Sequence, residues 1–184
     1  MFNTMENKYQ VKAVKTFHGH DGHGWECKLY CDDKRVALVV EDGYGGELNF
    51  YWDDEKLPRV ECKFRNWKDE IGTRRGTPFE AMLEAHVLEQ PQQNSPFADD
   101  DEKMHISADI FVSDMVRAFL IAKDVKKHLK RLCFFKKDGN LYNYPTDNAH
   151  TRRLIEKNYP DAIILNDMPF EKAVLKYREM TAHL

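Results

Sequence analysis

The hydrophobic period changes once along this chain, and that change constrains the fold more than any other feature. Through residue 65 apolar side chains recur at every second position, the repeat of a strand with one buried face. Tyr9, Val11 and Ala13 open the pattern; Trp25, Cys27, Leu29 and Cys31 repeat it; Val36, Leu38 and Val40, then Leu48, Phe50 and Trp52, then Val60, Cys62 and Phe64 continue it. Five successive strands are predicted. Asp32-Asp33-Lys34 reads as a short hairpin turn, and Gly43-Tyr44-Gly45-Gly46 supplies the positive-φ positions of a longer one. Strands joined this closely form an antiparallel meander, and the Arg, Glu and Lys residues between the apolar ones in 59–65 describe its wet face.

Beyond residue 76 the period is helical. Thr77-Pro78-Phe79-Glu80 has the form of a capping box with proline at the first helical position, and Phe79, Met82, Leu83 and Val87 carry an apolar stripe that Pro91 ends. A polar stretch at about 91–104, with the run Asp99 to Glu102, reads as an exposed acidic loop. Phe111, Met115, Phe119, Ala122, Val125 and Leu129 predict a helix over about 108–131. The Asp-Gly of Lys137-Asp138-Gly139-Asn140 predicts a hairpin between Leu132–Phe135 and Leu141–Tyr144. A short helix at about 149–158, a brief apolar segment at 162–165 and a final helix at about 168–182 follow. The expected fold is α+β: an N-terminal antiparallel β-meander of about five strands packed by C-terminal helices, with an extra small β-hairpin. One domain spanning 1–184 is expected, because each side of the acidic loop reads as too small to bury much alone.

Composition limits function more than it reveals it. Eleven Phe, eight Tyr and three Trp among 184 residues supply a large core, and 28 basic residues against 31 acidic ones give no bulk attraction to nucleic acid or anionic membrane. Local basic patches remain open. No apolar run has the length of a membrane span, and Met1 to Lys8 lack the apolar core of a secretory signal, so a cytoplasmic protein with no membrane partner is expected. Cys27, Cys31, Cys62 and Cys133 all fall on predicted strands and read as buried free thiols.

Four features stand as candidate sites. In Phe17 to Trp25, three of the eight histidines and three of the nine glycines fall within seven residues. His18, His20 and His23 suit a divalent metal, and Gly22 and Gly24 suit a phosphate held on backbone N–H groups. A glycine-rich loop between two strands explains the same composition. Gly45 and Gly46 mark a second exposed turn. Lys126, Lys127, Lys130 and Arg131 form a basic cluster fit for phosphates or an acidic partner, although a solvated helix end has the same pattern. Glu61-Cys62-Lys63 has the Glu-x-Lys form of metal-dependent nuclease strands, with Asp53 or Asp54 as a further acid, but the charges run on from Arg59 to Arg65, and a solvated strand face is the expected reading. Phosphate-loop, dinucleotide-binding, nucleophile-elbow and zincin motifs are absent.

Val14-Lys15-Thr16-Phe17-x-Gly19-His20-x-Gly22-x-Gly24, then Leu29-Tyr30 and Asp42-x-x-Gly45-Gly46-Glu47, resemble a group of small uncharacterised bacterial and phage proteins. The resemblance covers about the first third of the chain and brings no catalytic residue with it. It implies a shared core of strands one to four, and a phage protein that antagonises a host system. The leading expectation is a non-catalytic binding protein that occupies a host protein or a nucleotide. The alternatives are a metal-dependent hydrolase or nuclease built on the histidine loop, and a sponge for a nucleotide or other phosphate-bearing ligand.

Overall fold

The computed structural model describes residues 8–18, 22–66, 69–94 and 103–181. The fold is α+β, and the chain divides into two compact units that meet in sequence between Arg117 and Ala118.

In the first unit, β1 (Tyr9–His18), β2 (His23–Cys31), β3 (Lys34–Glu41) and β4 (Asn49–Trp52) form an antiparallel sheet in sequence order. Alternation buries Cys27, Leu29 and Cys31 of β2; in β3 the buried residues are Val36, Ala37 and Val39 rather than the expected Val36, Leu38 and Val40, because the pairing with β2 shifts register beside Val36. The β2–β3 turn is two residues long, Asp32 and Asp33 at φ of 47° and 62°, the left-handed pair that matches the twist of a tight hairpin. β1 carries a bulge where its pairing with β2 shifts between Lys12 and Lys15, with Ala13 at φ 54°.

The meander ends at four strands. The fifth predicted strand, β5 (Val60–Arg65), pairs instead with β6 (Ile71–Gly76), which the sequence pattern did not reveal. Ile-Gly-Thr-Arg-Arg-Gly has one apolar residue, and its two glycines are there for close approach. A Cβ on Gly72 would lie 2.9 Å from the Phe64 ring, and one on Gly76 would lie 2.6 Å from the Glu80 carboxylate.

Helix α1 (Pro78–Leu88) starts with the expected capping box. The Glu80 amide donates to Thr77 Oγ1 at 3.1 Å, and the Thr77 amide donates to Glu80 Oε2 at 3.2 Å. Asp54 adds a second clasp, its Oδ2 accepting from the Phe79 amide at 2.7 Å. The buried face differs from the expected stripe, because Met82 is exposed whereas Glu84 is buried with Leu83 and Val87. Two short strands, β7 (Gln93–Asn94) and β8 (Lys103–Met104), pair antiparallel. The acidic run Asp99 to Glu102 lies outside the described residues. Helix α2 (Ala108–His128) follows, and its turns through Arg117 belong to the first unit, where Phe111 meets the rings of Tyr9 and His86.

The second unit holds the remainder of α2 and a three-stranded sheet in the order β10 (Leu141–Tyr144), β9 (Leu132–Phe135), β11 (Ile163–Ile164). All four residues of β9 are buried because both faces of this central strand are covered. Leu132 and Phe134 pack with Ile155 of α3 (Ala149–Asn158), while Cys133 and Phe135 pack with Val125, Leu165 and Ala173, the last from α4 (Phe170–Thr181). No helix among the described residues is long and apolar enough to cross a membrane.

Candidate functional site: an aromatic and acidic cleft in the first unit

A cavity of about 910 Å³ opens in the first unit, within the size range of small-molecule sites. Its aromatic wall comes from the edge strand β4. Phe50 and Trp52 project to the same side of the sheet, opposite buried Val39 and Ala37, and their rings stack with centroids 5.1 Å apart and planes 10° from parallel. The facing wall comes from β5, β6 and α1. Arg74 lays its guanidinium 4.4 Å from the centre of the Phe64 ring and bridges two carboxylates, donating to Glu80 Oε1 and Glu84 Oε1 at 3.0 Å each. Arg65 is held by Asp69 at 3.1 Å. The first turn of α2 brings Asp109, and the β3–β4 connection brings Glu47.

Five carboxylates therefore line a cleft whose two arginines are already paired, with Lys103 the remaining strong base of the lining. The electrostatic consequence appears in the acids. Burial pushes Glu84 up to about 7, against the pull of Arg74 and with the added repulsion of Glu80 and Asp109. Burial and the nearby Glu47 raise Asp109, although a backbone hydrogen bond from Leu48 acts the other way. Five lining carboxylates face Arg65, Arg74 and Lys103, with the Arg59 guanidinium also 3.9 Å from Glu80, so the formal excess of negative charge is small and falls on Glu47 and Asp109.

The sequence-predicted residues lie elsewhere. His18 and His23 are cross-strand partners that close the β1–β2 hairpin, with ring centroids 4.4 Å apart. His20 lies outside the described residues. Gly24 has a packing reason: a Cβ there would lie 2.6 Å from the Glu41 carbonyl oxygen and against the Phe17 ring, which covers the gap. Gly22 approaches the Gly43 carbonyl, its missing Cβ 3.4 Å from that oxygen. Gly45 stands at φ +75° and, like Gly46, has no atom within 4 Å of where a Cβ would be. Lys126, Lys127, Lys130 and Arg131 are exposed in the second unit. Glu61 pairs in register with Arg75, Asp53 makes a two-pronged ion pair with Arg35 at 2.6 Å, and Asp54 caps α1. Among the described residues, no three His, Cys, Asp or Glu side chains group closely enough to hold a metal ion.

Nucleophilic thiol chemistry finds no support in the cysteines. All four are buried and free, and burial pushes Cys27 up to about 12 and Cys62 and Cys133 up to about 11, far from a reactive thiolate. Comparison with protein-family models, with curated proteins and with solved structures finds no match. The reading of the site therefore rests on its geometry.

Sequence reasoning missed the cleft because its parts carry ordinary local explanations. Phe50 and Trp52 are one beat of a strand alternation, and Arg74 one of a basic pair. The available signal was Glu80, Glu84 and Val87 at spacings of four and three, which puts a glutamate on the buried side of α1.

Proposed function

We propose that this protein acts by binding, and that the cleft of the first unit receives a cationic group, such as a guanidinium or an alkylammonium presented by a partner protein or a small ligand. The observation that carries this reading is the excess of carboxylate over cation beside a stacked aromatic wall. Aromatic faces and carboxylates attract the same kind of guest, and partial desolvation strengthens both attractions. A phosphate-bearing guest would meet like charge here.

Calorimetric titration of the whole protein with a capped tri-arginine peptide tests this. A bound cation lowers the proton affinity of Glu84, so binding at pH 7 should release protons, seen as a heat that varies with the ionisation enthalpy of the buffer. A capped tri-glutamate peptide should give no binding heat. Equal binding of both peptides, or of neither, would overturn the reading.

A second reading attaches to the hairpin end, where the neighbouring imidazoles of His18 and His23 support chelation of a divalent transition metal. Equilibrium dialysis against Zn²⁺ tests it. Retained zinc that His18→Ala abolishes supports the reading, and a wild-type protein that retains none ends it.

A further inference from the structure

The two units differ in charge as well as in fold. Residues 118–184 contain thirteen Lys and Arg against eight Asp and Glu, a formal +5, so the rest of the chain carries −8. The overall −3 conceals this separation. Part of the positive charge lies beside exposed aromatic rings. Tyr142 and Tyr144 occupy the edge strand β10, where alternation puts both on the side of Phe134. Tyr142 is 37% and Tyr144 36% exposed, whereas Phe134 is fully buried. The Phe134 ring stacks with that of Tyr144 at 5.9 Å and 10°, and with that of Tyr142 at 5.7 Å and 25°, so a buried ring supports both tyrosines. Lys136 places its ammonium 3.9 Å from the centre of the Tyr142 ring and 4.3 Å from that of Tyr159.

Cations stand at both ends of this stripe. Tyr142 has Lys136 over its ring with Lys137 next in the turn, and a cavity of about 230 Å³ opens there between the two lysines, Tyr159 and the carboxylates Asp138 and Asp161. Asp138 is engaged locally, since its Oδ1 accepts from the Asn140 amide at 3.0 Å. At the other end Tyr144 pairs in register with Leu132, directly after exposed Lys130 and Arg131. Neither Lys130, Lys137 nor the Arg131 side chain has an ion-pair partner among the described residues.

We propose that the second unit binds single-stranded nucleic acid, with Tyr144 as the principal base-stacking ring, Tyr142 beside it, and Lys136, Lys137, Lys130 and Arg131 as phosphate contacts. Lysine over a tyrosine ring, a second tyrosine two residues along and cations at each end match the combination of stacking platform and electrostatic track by which unstacked strands are held. A duplex presents no free base faces to such rings. The first unit, with its net negative charge, offers a polyanion no competing attraction. None of the cleft residues belongs to this surface.

Fluorescence anisotropy of the whole protein with a labelled oligothymidine of about fifteen nucleotides, at low salt, tests the proposal. The expected result is saturable binding that a labelled duplex of equal length does not match. Tyr144→Ala should weaken it about tenfold, and Tyr144→Phe, which keeps the ring, should stay within about twofold. Lys136→Ala with Lys137→Ala should reduce the slope of log affinity against log salt by about 1.4, the loss of two single-strand phosphate contacts. This pair keeps the test open if Tyr144→Ala fails to fold. An oligouridine that binds in place of the oligothymidine supports the same surface. No binding at high micromolar protein, or affinity for duplex and heparin that matches the single strand and ignores Tyr144, would overturn it.

Discussion

Glu84 is the residue on which most of the site chemistry turns. Its ordinary value as a glutamate is near 4.5, and burial lifts it to about 7, so the folded protein holds a proton that the unfolded chain has already released. The stabilisation this gives is complete below pH 4.5 and is lost as pH rises through 7. From this group alone the protein should be roughly 2–3 kcal/mol less stable at pH 8 than at pH 4.5. Asp109, also raised, contributes with the same sign. Urea unfolding of wild type and Glu84→Gln across that range checks the expectation: the wild-type midpoint should fall with pH and the Glu84→Gln midpoint should fall less. Asp54 makes a simpler case. Its Oδ2 accepts from the Phe79 amide at the start of α1, and Asp54→Ala leaves that half-buried donor without its partner, at a cost of about 1 kcal/mol in the same assay. Neither role was legible in the sequence, since a glutamate on a helix and an aspartate in a turn are ordinary residues until burial distinguishes them.

At the scale of elements the sequence was more informative. The β1–β2 and β2–β3 hairpins, the capping box of α1, the β9–β10 hairpin and α3 follow from alternation, turn chemistry and capping residues that act within a few positions. β6 and β11 did not show in the same way, because strands of six and two residues owe their existence to partners distant in sequence. Loop glycines illustrate the same division. The sequence marked Gly22, Gly24, Gly45 and Gly46 as one class, but their surroundings differ. Gly24→Ala would push a methyl group onto the Glu41 carbonyl and the Phe17 ring and should cost about 2–3 kcal/mol. Gly45→Ala meets no atom but inherits a positive φ and should cost about 1 kcal/mol. Gly46→Ala meets neither obstacle and should stay within about 0.5 kcal/mol of wild type. Thermal unfolding of the three variants should rank them in that order, and a Gly46→Ala as damaging as Gly24→Ala would contradict the packing account.

Across the whole molecule, composition understated the chemistry by averaging it. A formal −3 suggested no electrostatic preference, yet the chain separates into an acidic stretch and a basic one, and the acidic unit contains a cleft with unneutralised carboxylates. Fold class was legible because period and turn residues are local; the cleft was not, because it collects side chains from β4, β5, β6, α1 and the first turn of α2. The binding of a cationic group there is the central claim, and the Trp52 indole N–H, on the stacked wall, reports on it most directly. The measurement is a two-dimensional NMR titration of the whole protein with N-acetyl-arginine amide at pH 7. The account predicts saturable movement of the Trp52 indole signal that is lost in the Glu84→Gln, Asp109→Asn double variant. A Trp52 signal that stays still, or that moves equally with N-acetyl-glutamate amide, would contradict it.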